Sequence, residues 1–167
     1  MASTFEVFDV AVVGGGVVGT AVARLLSHHR LTVALVEGNA DLGAGTSKAN
    51  TAILHTGFDA TPGSVEAGLV RRGYELLRSY APAAGISVEE TGAVLVAWDE
   101  DQAAALPALH RKALDNGYDR AVLLDPTEVY ALEPTLGPGA RGGMLVPDEH
   151  IIDPWTTPLA FAHEAVA

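Results

Sequence analysis

Gly14-x-Gly16-x-x-Gly19 stands between a short apolar run and a helical pattern, and Glu37-Gly38 closes the next apolar run. Those residue types at that spacing suit a dinucleotide. The first glycine permits a tight turn, the second lets the backbone approach a pyrophosphate, and the third lets a helix lie close to a strand. From Gly16 through Val17 and Val18 the first helical turn offers unpaired N–H groups and partial positive charge to an anion. Glu37 would accept hydrogen bonds from the adenosine ribose and disfavour a 2′-phosphate. The glycine spacing by itself leaves FAD and NAD open.

The span from Asp41 to Asp59 is rich in glycine, threonine and serine and has little periodicity, which predicts a loop crossing a ligand, with a short helix near Ser47 to Thr51. Thr46 or Ser47 reads equally well as a helix N-cap. His55 titrates near neutrality and is the one candidate base, although a histidine satisfied within its loop has the same residue type and place.

Other polar groups have plainer readings. Arg71 and Arg72 could meet an anionic substrate, but on a helix they read as a solvated face. Asp99, Glu100 and Asp101 suit a helix N-terminus. Asp148-Glu149-His150 with Asp153 includes metal-binding residue types, yet the spacing is that of a turn and no metal is assigned. His28, His29 and His110 read as surface residues.

Several elements must position these groups. Phe8 to Val13 reads as a buried parallel strand, Val17 to Ser27 as a helix and Leu31 to Val36 as a second strand, giving a βαβ start. After Thr61-Pro62-Gly63-Ser64 a helical face runs from Val65 to near Pro82. Ser87 to Glu90 and Ala93 to Trp98 read as paired strands about Thr91-Gly92, then a helix from Asp99 to Asn116 that Gly117 ends. Val122 to Leu124 reads as a strand, Pro126 to Leu132 as a helix, and Gly143 to Val146 as a strand. A final helix starts at Pro154 and reaches Ala167, with nothing to cap or close it.

The chain has 167 residues, enough for one domain or parts of two, and 49% are hydrophobic against 19% charged, so it can build a core. Ten basic against 21 acidic residues give a net charge of −11, which opposes nonspecific binding to nucleic acid or an anionic membrane. With no cysteine, the chain has no disulfide, thiolate metal site or thiol nucleophile, and a reducing cytoplasm fits. The longest uncharged stretch, between Asp9 and Arg24, is glycine-rich and shorter than the roughly 20 residues of a membrane helix. Glu6 and Asp9, with no early basic residue, do not fit a signal peptide.

DVAVVGGGVVGTAVARLL through VALVE resembles the N-terminal FAD fingerprint of the D-amino-acid oxidase superfamily, with Gly19, Ala23 and Leu26 on its longer pattern. GTSKANTAILHTGFDATPGSVEA is similar to the branch holding FAD-dependent glycerol-3-phosphate dehydrogenases and L-2-hydroxyglutarate oxidases. Arg30 stands where that family usually has glycine, a turn position. The resemblance covers roughly Phe8 to Ala167, and family members run to more than twice this length.

The resemblance implies FAD as cofactor, with Thr46, Ser47 and Lys48 near its pyrophosphate and ribityl chain and Ala49, Asn50 and Thr51 beside the isoalloxazine. It places His55, the candidate catalytic base, and Gly57 close to the reacting face. It implies an α/β, Rossmann-like FAD-binding domain of glutathione-reductase type over residues 1–86. Part of a mixed α+β substrate domain follows over 87–150, then a helix over 151–167 that returns to the first domain, leaving the sheet incomplete. The implied reaction is oxidation of glycerol 3-phosphate, or of L-2-hydroxyglutarate, another 2-hydroxy acid or an amine. A quinone or other acceptor would take the electrons, in the cytoplasm or at the inner membrane face through other regions or partners. The expected form is an N-terminal portion, or a non-catalytic split subunit, that needs the remaining half or a complementary chain.

Overall fold

A computed structural model describes residues 6–166. In chain order the elements are β1 (Val10–Val13), α1 (Val17–Ser27), β2 (Val33–Val36), β3 (Ile53–Leu54), α2 (Val65–Tyr80), β4 (Val88–Glu89) and β5 (Ala93–Ala97). They continue with α3 (Glu100–Asp115), β6 (Val122–Leu124), α4 (Pro126–Leu132), β7 (Gly142–Val146), β8 (His150–Ile152) and α5 (Thr156–Val166). The chain divides into two compact units, one holding residues up to Ala52 with Ala81–Ser87 and the segment from Ile152, the other Ile53–Tyr80 with Val88–Ile151.

In the first unit, valine-rich β1 and β2 pair in parallel, Val10 opposite Val33 and Val13 opposite Val36. Both start two residues later than their apolar runs. Asp9 takes the Thr32 N–H and hydroxyl at 2.8 Å each, and these bonds hold the two chains at the mouth of the ladder. The expectation of a fully buried strand is corrected: Val13 is 84% and Val36 53% exposed. A parallel strand is buried when several strands and both faces are covered, and this sheet has two strands among the described residues. On α1, Thr20 and Ala23 are buried, α5 packs against that helix, and Arg24 pairs with Glu164.

Asp153 accepts the Trp155 N–H at 2.8 Å ahead of the final helix, and α5 begins at Thr156 rather than Pro154. The short helix expected over Ser47 to Thr51 is a run of turns. Asn50 Nδ2 donates to the Thr46 and Ser47 carbonyls at 3.2 and 3.0 Å, filling the acceptors a continuing helix would need.

In the second unit, β7 lies between β5 and β6, antiparallel to both, with Met144 opposite Leu95 and Leu123. Met144, Val146, Ala113, Ala121 and Phe58 form its buried core, with Leu95, Leu106, Leu109 and Tyr118 against them. Asp99 caps α3 through the Gln102 N–H, and Asp125 with Glu128 forms a capping box on α4, each cap contributing about 1 kcal/mol. Ser64 accepts the Ala67 N–H at 3.1 Å at the start of α2.

The predicted hairpin of residues 87–98 is not formed. β4 joins β8 and β3 in a separate sheet, while β5 gives all five of its residues to β7. Two-residue β4 could not match that ladder. Strands β3 and β8 arise in spans read as loop and turn, because two or three residues carry no detectable period. His110 is half-buried rather than superficial, its Nε2 3.1 Å from the Ala121 carbonyl.

No helix among the described residues is long and apolar enough to cross a membrane. The signal-peptide reading rests partly on residues 1–5, which lie outside the described residues, as does Ala167.

Candidate functional site

The glycine turn is built by steric necessity. Gly14 has φ +102°, a conformation open to glycine, and its N–H donates to the Val36 carbonyl at 2.8 Å. A Cβ on Gly19 would stand 1.9 Å from the Gly14 carbonyl oxygen, so no side chain fits between α1 and the turn. Gly15, a variable position of the motif, is crowded by side chains rather than backbone: its Cβ would come within 2.4 Å of Leu42 Cδ2 and 3.1 Å of Glu37 Oε2. Sequence reasoning did not single out Gly15, and only the packing of Leu42 reveals it.

Gly16 is the N-cap of α1 and supplies no side-chain acceptor. That role falls to Ser47, whose Oγ accepts the Val17 N–H at 2.9 Å from 30 residues away. Val18 is exposed. The N-cap reading of Ser47 therefore holds in an unexpected form, since the helix capped is α1.

Glu37 anchors the other side of the turn. Its Oε2 accepts the Gly15 N–H at 2.6 Å, while Oε1 takes the Asn39 backbone and side-chain N–H groups at 2.7 Å each. These bonds, those from Asn39 first, hold its carboxyl below the usual range. Gly38 has open space where a Cβ would stand. Lys48 pairs with Asp41 and lies 5.1 Å from the Trp155 ring centre. Thr46, Ala49, Asn50 and Thr51 are exposed.

His55 and Gly57 belong to the second unit. The His55 side chain is 41% exposed, with Nδ1 2.8 Å from Glu149 Oε1 and Nε2 3.1 Å from Asp59 Oδ1. The hydrogen bond to Glu149 raises the imidazole pKa, overcoming burial, and Asp59 adds to the rise. Gly57 has φ +81°, and a Cβ there would sit 3.2 Å from Val70 Cγ1.

Glu149 is 4% exposed, and its Oε1 also takes the Thr56 N–H and hydroxyl, both at 2.7 Å. Burial alone would raise its pKa. The bonds from His55 and Thr56 outweigh that and leave it lowered. The sequence reading placed Glu149 in a turn without a role, and its partner lies 94 residues earlier. No local signal could have paired them.

The acidic and basic residues beside this site have structural partners. Asp148 binds Arg120 at 2.6 Å and the Tyr118 hydroxyl at 3.0 Å. A cleft of about 290 Å³ in the second unit is lined by Arg71, Arg78, Arg120, Tyr74 and Asn116 among others, but its cations face Glu75, Glu90 and Asp148. Arg71 and Arg72 are exposed beside Glu75, as a solvated face would be. Among the described residues no three His, Asp or Glu side chains are grouped to hold a metal.

Comparisons with known proteins bear on both sites. The family model described as FAD dependent oxidoreductase (DAO) matches residues 9–167. Glycerol 3-phosphate dehydrogenase of Caloramator mitchellensis is 33% identical over 159 residues, covering 95% of this chain and 33% of the relative. Human mitochondrial L-2-hydroxyglutarate dehydrogenase is 33% identical over 161 residues, covering 94% of this chain and 34% of the relative. The dithionite-reduced L-α-glycerophosphate oxidase of Mycoplasma pneumoniae with FAD bound superposes with a TM-score of 0.89 at 30% identity, covering 97% of this chain and 43% of that one. The chain thus spans about a third of the length of the curated relatives it matches.

FAD is the cofactor these matches indicate. The residues fit it: Gly19 leaves no room for a side chain between α1 and the turn, the α1 N-cap Gly16 carries no capping side chain, and a Glu37 carboxylate closes β2.

Proposed function

Given that this chain belongs to the FAD-dependent oxidoreductase (DAO) family, we propose that the protein oxidises glycerol 3-phosphate to dihydroxyacetone phosphate. The observation that carries the chemistry is His55, its side chain half-exposed, its Nε2 beside Asp59 and its Nδ1 backed by a buried carboxylate. Oxidising a secondary alcohol removes a hydride from carbon and a proton from oxygen. Bound FAD supplies the acceptor for the hydride. His55 takes the proton at Nε2, and the half-exposed Asp59 gives way there to the substrate hydroxyl.

For the cofactor, Gly16, Val18 and Gly19 would offer backbone N–H groups to the pyrophosphate, with Gly14 shaping the turn and Val17 held by Ser47 beside them, and Glu37 with Gly38 would meet the adenosine ribose. Thr46, Ser47, Lys48, Ala49, Asn50 and Thr51 would line the rest of the flavin, with Gly57 beside His55. Residues 1–86 and 151–167 belong to the FAD-binding domain in this reading, and 87–150 to the substrate domain.

The second reading is oxidation of L-2-hydroxyglutarate or another 2-hydroxy acid, favoured by the equal identity to the human enzyme. The same proton transfer serves both substrates. The test is product analysis on the intact protein with each: dihydroxyacetone phosphate supports the first, 2-oxoglutarate the second, and absence of dihydroxyacetone phosphate overturns the first. The electrons would pass to a quinone or other acceptor.

We further propose that this chain works together with the remaining polypeptide or a complementary chain. The coverage of about a third of its relatives and the exposed Val13 and Val36 on a two-stranded parallel sheet support this. Co-purification of further polypeptide with the flavin is expected, and turnover by the 167 residues alone would overturn it.

A further inference from the structure

We infer that Glu149 is a positioning residue that fixes which nitrogen of His55 carries the proton, leaving Nε2 as the atom that accepts one. The inference rests on the reading of His55 as the base, but its geometry is independent of that reading. An imidazole free in water prefers its proton on Nε2, and a base working at Nε2 needs the opposite tautomer. A carboxylate that receives Nδ1–H enforces it.

Three bonds converge on one oxygen. Glu149 Oε1 receives the Thr56 N–H and hydroxyl at 2.7 Å and His55 Nδ1 at 2.8 Å. The Thr56 N–H can only donate, and with the hydroxyl donating beside it the two keep that oxygen in place and ionised. A competing contact runs from the Gly57 N–H to Nδ1 at 3.3 Å, and would favour the other tautomer. The shorter, charge-assisted bond to Glu149 wins, since bonds to an ionised partner are roughly twice as strong as neutral ones.

The charged groups facing His55 are Glu149 at Nδ1 and Asp59 at Nε2. Asp148 turns instead to Tyr118 and Arg120. Glu149 is buried and Asp59 half-exposed, so water screens Asp59 more and the tautomer is set from the Glu149 side. His55 and Glu149 act as a pair in which the carboxylate holds Nδ1–H while Nε2 gains and loses the transferred proton.

The test is ¹⁵N NMR of His55 in the intact FAD-loaded protein, with kcat and KM measured against pH for the native protein, Glu149→Gln, Glu149→Ala and His55→Asn. In the native protein neutral His55 should carry its proton on Nδ1, a result that needs no variant to fold. Glu149→Gln keeps a carbonyl oxygen under Thr56 and removes the charge, so Nδ1–H should persist. The His55 titration and the kcat/KM midpoint should both move to lower pH, with kcat reduced and KM little changed. Glu149→Ala should lose the tautomer preference. Neutral His55 with its proton on Nε2, or a titration unmoved in Glu149→Gln, overturns the inference. If the NMR results hold while His55→Asn keeps full kcat, the pairing stands and the reading of His55 as the base falls.

Discussion

A methyl group on Gly19 would stand 1.9 Å from the carbonyl oxygen of Gly14, which places the backbone of α1 against the turn that ends β1. Gly19→Ala must push the helix off the turn. Overpacking of this kind costs about 1–3 kcal/mol, and here it also displaces the N–H groups proposed to face the pyrophosphate. The expected result in the intact protein is a lower Tm and loss of bound FAD, read from the visible absorption spectrum. Gly15→Ala, which meets the movable end of Leu42 rather than backbone, should cost less, and Gly38→Ala, with open space around it, should keep its flavin.

Glu37→Gln keeps the shape of the side chain and removes its charge. Gln can still accept from Gly15 through its carbonyl oxygen, but its NH₂ faces the two Asn39 donors. Losing the charge weakens the bonds that hold this side chain across the turn, so FAD affinity should fall. A fluorescence titration of the apoprotein with FAD measures it.

Ala52 has φ +60°, the one non-glycine residue among those described with a positive φ. Asn50 Oδ1 holds it there by accepting its N–H at 2.7 Å. Left-handed backbone costs an L-residue about 1–2 kcal/mol, and glycine returns about 0.5–1 kcal/mol of that as extra unfolded-state entropy. Ala52→Gly should therefore stabilise by about 0.5–1 kcal/mol, and Ala52→Val, β-branched, should destabilise. Urea unfolding decides the sign.

Opposite pH trends should separate stability from activity at His55. Its folded pKa is raised above the ordinary value of about 6.5. The stability it contributes is complete below that value and is lost as pH rises through the folded pKa. Activity runs the other way, because the base must be neutral. kcat/KM should climb with pH to a midpoint above about 6.5 while thermal stability declines over the same interval. Glu149, with its pKa lowered, contributes above its unfolded pKa and loses that contribution as pH falls through the folded one. Thermal unfolding and initial rates across pH 4–10 check both signs.

Ser47 should show its role without any activity measurement. It supplies the only cap the Val17 N–H has among the described residues. Ser47→Ala should lower the stability of the FAD-free protein by about 1 kcal/mol, and Thr46→Ala, whose exposed side chain has no such bond, should not.

What could be read from the residues alone was local. The α1 span Val17–Ser27 and the α4 span Pro126–Leu132 agree with the expected bounds, because periodicity, a glycine turn and a proline at the helix start are legible within a few neighbouring residues. Gly14, Gly16, Gly19 and Glu37 pointed to a dinucleotide for the same reason, and the longer run from Thr46 to Gly57 pointed to the FAD family. Tertiary structure decided the rest. Gly15 is constrained only because Leu42 returns upon it, β5 takes β7 as partner rather than the nearby β4, and Glu149 reaches His55 across 94 residues. Such pairings depend on where the chain comes back to itself, and no spacing along it encodes that. A single buried carboxylate in a stretch read as a turn became, by burial and three converging donors, the group that governs the candidate base.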